Sequence, residues 1–225
     1  MFPFKDDNPT STTPFVTVGL ILLNVLVFLW ELLSPQGADE IALFYGAIPS
    51  NLMSFGSVHP QPVSPAVSIL TSMFLHGGIL HVAGNMLYLW IFGDNIEDSL
   101  GHLKFLLFYL FSGAAAAYSH AATNAGSVIP MIGASGAISG ILGAYLLLFP
   151  RARVHTLVIF GFFWQVVRIP AVVVILFWVV IQLVSGLATK SAQQGGVAWF
   201  AHLGGFLAGV LTIKLWMPAR KKLRG

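Results

Sequence analysis

An all-α membrane protein of six transmembrane helices is the fold class predicted by this sequence, on three observations. Charged residues make up 8% of the 225 residues, where a soluble domain carries about 25%. Mean hydropathy is +0.83, and long apolar runs recur along the chain. Those runs approach the ~20 residues that cross a bilayer as a helix. Nothing is left over for a second domain. The absence of cysteine excludes disulfides, thiolate catalysis and cysteine-type zinc sites.

Taken in order, residues 1–14 are polar and proline-rich and precede the membrane domain. The run Phe15–Leu33 is too long for a signal h-region and lacks a small-x-small cleavage site, so it is read as span one. Trp30 and Glu31 mark its interfacial end. Residues 34–71 form a long connection with apolar patches, which suits a loop lying partly in the bilayer interface. Gly77-Gly78 breaks the chain before span two, Ile79 to about Gly101. Span three runs about Phe105–Thr123 and is alanine-rich. Residues 124–131 are a short polar loop, and span four is Gly133–Phe149.

The apolar stretch Val154–Val167 is too short to cross. An interfacial segment or re-entrant hairpin is expected there. Span five is Ala171–Leu187, residues 188–196 form a polar loop, and span six is Val197–Met217. A basic tail follows, within residues 218–225. Six spans put both termini on one side. That side holds Lys5, Lys104, Arg151, Arg153, Arg168, Lys214 and the tail residues Arg220, Lys221, Lys222 and Arg224, against Lys190 alone on the other. The positive-inside rule makes the termini cytoplasmic. The tail then reads as a topology signal and anionic-lipid contact, not a nucleic-acid patch.

The chemistry centres on Gly133-Ala134-Ser135-Gly136. Gly136, Gly140 and Gly143 recur at helical spacing and on their own indicate close helix packing. Ser135 at a helix N-terminus also sits beside free backbone N–H groups, which suit a developing oxyanion. Counting ~1.5 Å per residue from the outer ends of their spans places Ser135 and His81 about 3 Å deep, His202 about 8 Å and Asn85 about 9 Å. Polar groups at membrane depth are costly and normally face a cavity or one another. The expected roles are Ser135 as nucleophile, His202 as general base then acid, and the Ser135 N–H, Asn85 amide and His81 as oxyanion donors. Gly204, Gly205 and Gly209 let span six press against span four. All eight acidic residues precede residue 99, far from His202 along the helices, so a Ser–His dyad is favoured over a triad.

At these residues the chain resembles the rhomboid family of intramembrane serine proteases, bacterial type. The matching motifs are Gly133-Ala134-Ser135-Gly136, Ala201-His202-Leu203-Gly204-Gly205 with Gly209, His76 and His81-x-x-x-Asn85, and Gly93-x-x-x-Glu97-x-x-x-Gly101. The match covers about residues 15–217, nearly the whole chain. The resemblance implies a six-transmembrane-helix rhomboid-like bundle with a wet cavity at the outer face. It implies a serine endopeptidase that cuts transmembrane protein substrates in or near their membrane-spanning helix, without metal or other cofactor. Helix five and the 188–196 loop act as gate and cap in such a protein. The expected location is a bacterial inner membrane. Two positions depart from the family pattern. Val67-Ser68 replaces a Trp-Arg loop anchor, and Ser139 replaces an aromatic beneath the histidine.

The remaining histidines, His59, His102, His120 and His155, are expected to have no chemical role, and His76 to bond the first loop. Glu97 is expected to be a structural acceptor. Tyr88, Trp90, Trp199 and Trp216 are read as anchors and packing. A rhomboid-like protein that binds membrane helices without cutting them is the alternative. A polar-solute transporter is a more distant one, because the polar layer stops in the outer half.

Overall fold

The computed structural model describes residues 2–54, 58–161, 163–188 and 198–218. The expected cap and basic tail fall largely in 189–197 and 219–225, outside the described residues. The chain is mostly helical. Its long helices are α1 (Phe15–Leu33), α5 (Ile79–Leu100), α6 (His102–Thr123), α7 (Ser135–Leu148), α8 (Ala171–Ala188) and α9 (Trp199–Trp216). By length and composition α1, α6 and α9 can cross a membrane, and α7 and most of α8 are shorter apolar helices.

The centre of the bundle is α7, where every side chain from Gly136 to Tyr145 is buried. Small residues let its neighbours approach to backbone contact. A Cβ on Gly205 would lie 2.0 Å from the Gly136 carbonyl oxygen, and one on Gly209 2.0 Å from that of Gly140. From the other side, a Cβ on Gly136 would meet Ala116 of α6 at 2.5 Å. The α6–α7–α9 trio is therefore seated by missing side chains, as small-residue helix pairs are in lipid.

The all-α expectation needs correction. A three-stranded antiparallel sheet joins β1 (Phe2–Asp6), β2 (Arg153–Phe160) and β3 (Phe163–Pro170) in that order. Its β2–β3 hairpin occupies the stretch too short to span. That stretch is rich in β-branched and aromatic residues, which favour strands, and Gly161 at φ 59° accommodates the tight turn. The polar 1–14 segment is likewise built into the molecule, with β1 paired to β2. Asp6 accepts a hydrogen bond from the Tyr145 hydroxyl of α7.

The long connection 34–71 is folded into three short helices, α2 (Ala38–Tyr45), α3 (Pro49–Met53) and α4 (Pro65–Ser72). Amides organise it. Asn51 Oδ1 accepts from the His59 N–H at 2.8 Å, and its Nδ2 donates to the Gln61 Oε1 at 2.8 Å. Gln61 Nε2 donates in turn to the Gly46 and Leu43 carbonyls, both at 2.9 Å. A backbone pair between Ala47 and Met131 ties the connection to the chain just before α7.

Candidate active site

Helix α7 begins at Ser135, two residues later than expected, because Gly133 holds φ 122° and the chain before the helix is not yet helical. Ser135 therefore occupies the first helical turn, where backbone N–H groups lack intrahelical partners. His202 lies in the first turn of α9. Its Nε2 is 2.7 Å from the Ser135 Oγ. On the opposite edge of the ring, Nδ1 is 2.6 Å from the Gln182 Oε1 of α8. An amide oxygen only accepts, so Nδ1 carries the proton and Nε2 presents its lone pair to the serine hydroxyl.

Among the described residues no carboxylate touches His202; a buried amide does its orienting. Gln182 is 5% exposed and His202 9%. Two indoles frame the ring, Trp178 at 5.9 Å with planes 39° apart and Trp199 edge-on at 6.2 Å. They supply the support that an aromatic at position 139 would give. Ser139 instead donates to the Ser135 carbonyl at 2.6 Å. Gln182 and Trp178 were not singled out from sequence. Each sits in an otherwise apolar helix, and Gln182 as the lone amide of α8 was the available signal.

His81 and Asn85 lie on one face of α5 and line the same cavity as Ser135 and His202, a space of about 900 Å³. His81 packs on the Gly133 backbone; a Cβ there would lie 2.8 Å from its Nε2 and 3.6 Å from the Ser135 Oγ. Asn85 Nδ2 donates to His76 Nε2 at 2.9 Å, which leaves its second amide hydrogen for another acceptor. His76 Nδ1 donates to the Phe74 carbonyl at 3.2 Å. Among the described residues the ring's hydrogen-bond partners are thus Asn85 and the Phe74 carbonyl, not the first loop. The His76 backbone N–H donates to Glu31, at 3.2 and 3.1 Å from its two oxygens. Glu31 is only 4% exposed, so it is an interior acceptor and not an interface marker.

The other histidines separate. His120 lines the cavity wall. His102 pairs with Glu97 at 2.5 Å and His155 with Asp7 at 2.5 Å, both away from Ser135. Among the described residues no three His, Cys, Asp or Glu side chains are grouped to hold a metal ion.

A family model described as the Rhomboid domain matches residues 64–219, a stretch that holds His81, Asn85, Ser135 and His202. The chain belongs to the rhomboid family. Rhomboids are helical integral membrane proteins, in keeping with the apolar helices here. The chain is 30% identical over 206 residues to "Rhomboid protease GluP" of Bacillus subtilis, covering 92% of this chain and 34% of that protein. It is 29% identical over 230 residues to "Rhomboid protease AarA" of Providencia stuartii, covering 93% and 75%. A yeast relative, "Rhomboid protein 1, mitochondrial" of Saccharomyces cerevisiae, is 33% identical over 156 residues, 66% of this chain and 41% of that one. The chain thus spans about a third of the first of these relatives and two fifths of the yeast protein.

Proposed function

We propose that this rhomboid is an intramembrane serine endopeptidase that cuts transmembrane protein substrates in or near their membrane-spanning helix by a Ser135–His202 dyad. The observation that carries the reading is the 2.7 Å contact between Ser135 Oγ and His202 Nε2. Nε2 takes the hydroxyl proton as Oγ attacks the scissile carbonyl. It then returns that proton to the leaving amine as the peptide C–N bond breaks. Water enters from the cavity and attacks the acyl carbon as His202 takes its proton, and His202 returns that proton to Ser135 Oγ as the ester C–O bond breaks. The Ser135 N–H, the Asn85 amide and His81 donate to the oxyanion. Gln182 holds the imidazole in the required tautomer.

The same reading places six helices across the bilayer, with both termini cytoplasmic and residues 15–217 as the membrane domain. A bacterial inner membrane is the setting that fits the charge bias. The 14 residues of α7 make it about 21 Å long, against ~30 Å of hydrocarbon. With Phe149 at the cytoplasmic headgroups, Ser135 stands roughly 9 Å short of the outer boundary. That recess, opened by the cavity, is where water and an unwound substrate strand meet. The paired serine and histidine weigh against a helix-binding protein without catalysis.

The test is cleavage of a model transmembrane substrate in proteoliposomes by the wild type and by Ser135→Ala. The proposal expects cleavage by the first and none by the second. Persistent cleavage by Ser135→Ala discards the mechanism.

A further inference from the structure

The β2–β3 hairpin takes no part in the proposed chemistry, yet it is built in an unusual way. Each strand has eight residues, so the hairpin reaches about 26 Å at ~3.3 Å per residue. It grows out of two apolar helices. Arg153 follows the end of α7 by five positions, and Pro170 is joined directly to Ala171 of α8. The root is locked, with Val154 and Thr156 fully buried. The Ala171 N–H donates to the Ala152 carbonyl at 2.7 Å.

Beyond the root the hairpin is bare. Phe163 is 83% exposed, Trp164 76%, Ile159 53% and Val166 47%. Strand alternation puts Trp164 and Val166 on one face and Phe163 and Val167 on the other. Both faces near the tip are therefore apolar. A lipid phase can take up apolar side chains on both faces at once. Depth is set by the backbone. In the order β1-β2-β3 the outer edge of β3 has no strand partner among the described residues, and unpaired peptide groups are excluded from hydrocarbon. The headgroup layer satisfies both demands, and tryptophan concentrates there.

Charge decides the kind of lipid. The exposed residues around the root include Lys5, Arg151, Arg153 and Arg168. The opposing exposed acid is Asp7, whose Oδ2 is 4.0 Å from the Arg168 Nε. An apolar tip on a cationic root is the pattern of an interfacial amphipathic anchor.

We propose that the β2–β3 hairpin lies in the headgroup layer of the leaflet where α7 ends and α8 begins, with Phe163 and Trp164 as apolar anchors and Arg153 and Arg168 on anionic lipid headgroups. Proteolysis is not needed for this seating.

The absence of cysteine makes the test direct. Gln165→Cys, at an exposed position that keeps both anchors, provides a single thiol for an environment-sensitive fluorophore. The full chain is reconstituted in phosphatidylcholine vesicles with and without phosphatidylglycerol. The label should be shielded from aqueous iodide and quenched more by nitroxides near the lipid headgroup than by nitroxides near the chain end. Shielding should be stronger with phosphatidylglycerol. Arg153→Gln with Arg168→Gln should remove that gain, by about fivefold per arginine in the shielded-to-exposed ratio, from ~1 kcal/mol per cation near an anionic surface. Free iodide access without lipid quenching in both vesicles would overturn the proposal. So would shielding that follows protein density and not lipid, which means a protein covers the hairpin. Equal shielding in neutral and anionic vesicles would remove the arginine contacts.

Discussion

The two ends of α5 hold polar groups in opposite states. Toward its C-terminus the groups are closed on one another. Glu97 accepts from the Val16 N–H at 2.9 Å, the Thr17 N–H and hydroxyl at 2.7 Å each, and His102 at 2.5 Å. It caps the start of α1 from a different helix, a favourable place for a carboxylate. Asp98 takes the N–H and hydroxyl of Ser11 and of Thr12 in the same manner. Toward the N-terminus, His81 and Asn85 face a cavity and keep donor capacity in reserve. Satisfied groups hold the bundle together; groups held in place with donors to spare are the ones that can meet a substrate. One helix does both because its ends lie about 30 Å apart.

That contrast predicts a separation of phenotypes. Asn85→Ala should lower turnover by about 10²–10³, the effect of one lost oxyanion donor. Its stability loss should stay near ~1 kcal/mol, from the missing bond to His76. Paired cleavage rates and denaturation midpoints measure both, and unchanged turnover would remove Asn85 from the site. Glu97→Ala should do the reverse. Stripping four donors of a buried acceptor should cost about 2–4 kcal/mol of stability. Whatever fraction stays folded should retain near-normal turnover. A folded Glu97→Ala protein with turnover as low as that of Asn85→Ala would erase the distinction between the two ends.

Gln182→Ala sharpens the comparison at the cavity end. It removes the acceptor that fixes the His202 tautomer and should lower turnover by about 10² through misplacement of the ring. Gln182→Glu keeps an acceptor and should recover part of the loss with an altered pH–rate profile. A role in packing alone predicts no change in that profile.

The smallest effect belongs to the sheet. His155 beside Asp7 holds its carboxyl below the usual value of 3.8. The contribution of Asp7 is therefore complete above that value and fades as pH falls through the lowered native one. Burial raises the carboxyl of Asp6, and its contribution runs the other way, fading as pH rises through the raised value. The protection of β1 amides against exchange, with the intrinsic pH dependence divided out, should fall on acidification below about pH 4. Asp7→Asn should flatten that response, and an unchanged response would assign it elsewhere.

Much of this was legible in the sequence, for reasons that can be named. Apolar periodicity and length locate the long helices, and Gly77-Gly78 sets the start of α5 at Ile79. Ser135, His202, His81 and Asn85 stood out because polar groups are rare in such segments. The β2–β3 hairpin was harder. A short apolar run between arginines has no period that separates strand from re-entrant helix until its β-branched content is weighed. The links of Asn51 to Gln61 and of Glu31 to His76 join residues whose separation along the chain carries no pattern. Gln182 reads as one polar side chain in a helix until the fold turns it toward His202.

The most direct measurement of the central claim is where a fluorophosphonate attaches. Wild-type protein in membranes, treated with the probe, digested and analysed by mass spectrometry, should carry a single adduct on Ser135. His202→Ala, equally folded by its denaturation midpoint, should carry almost none. An adduct on another residue, or undiminished labelling of Ser135 in His202→Ala, would contradict the pairing of hydroxyl and imidazole on which the account rests.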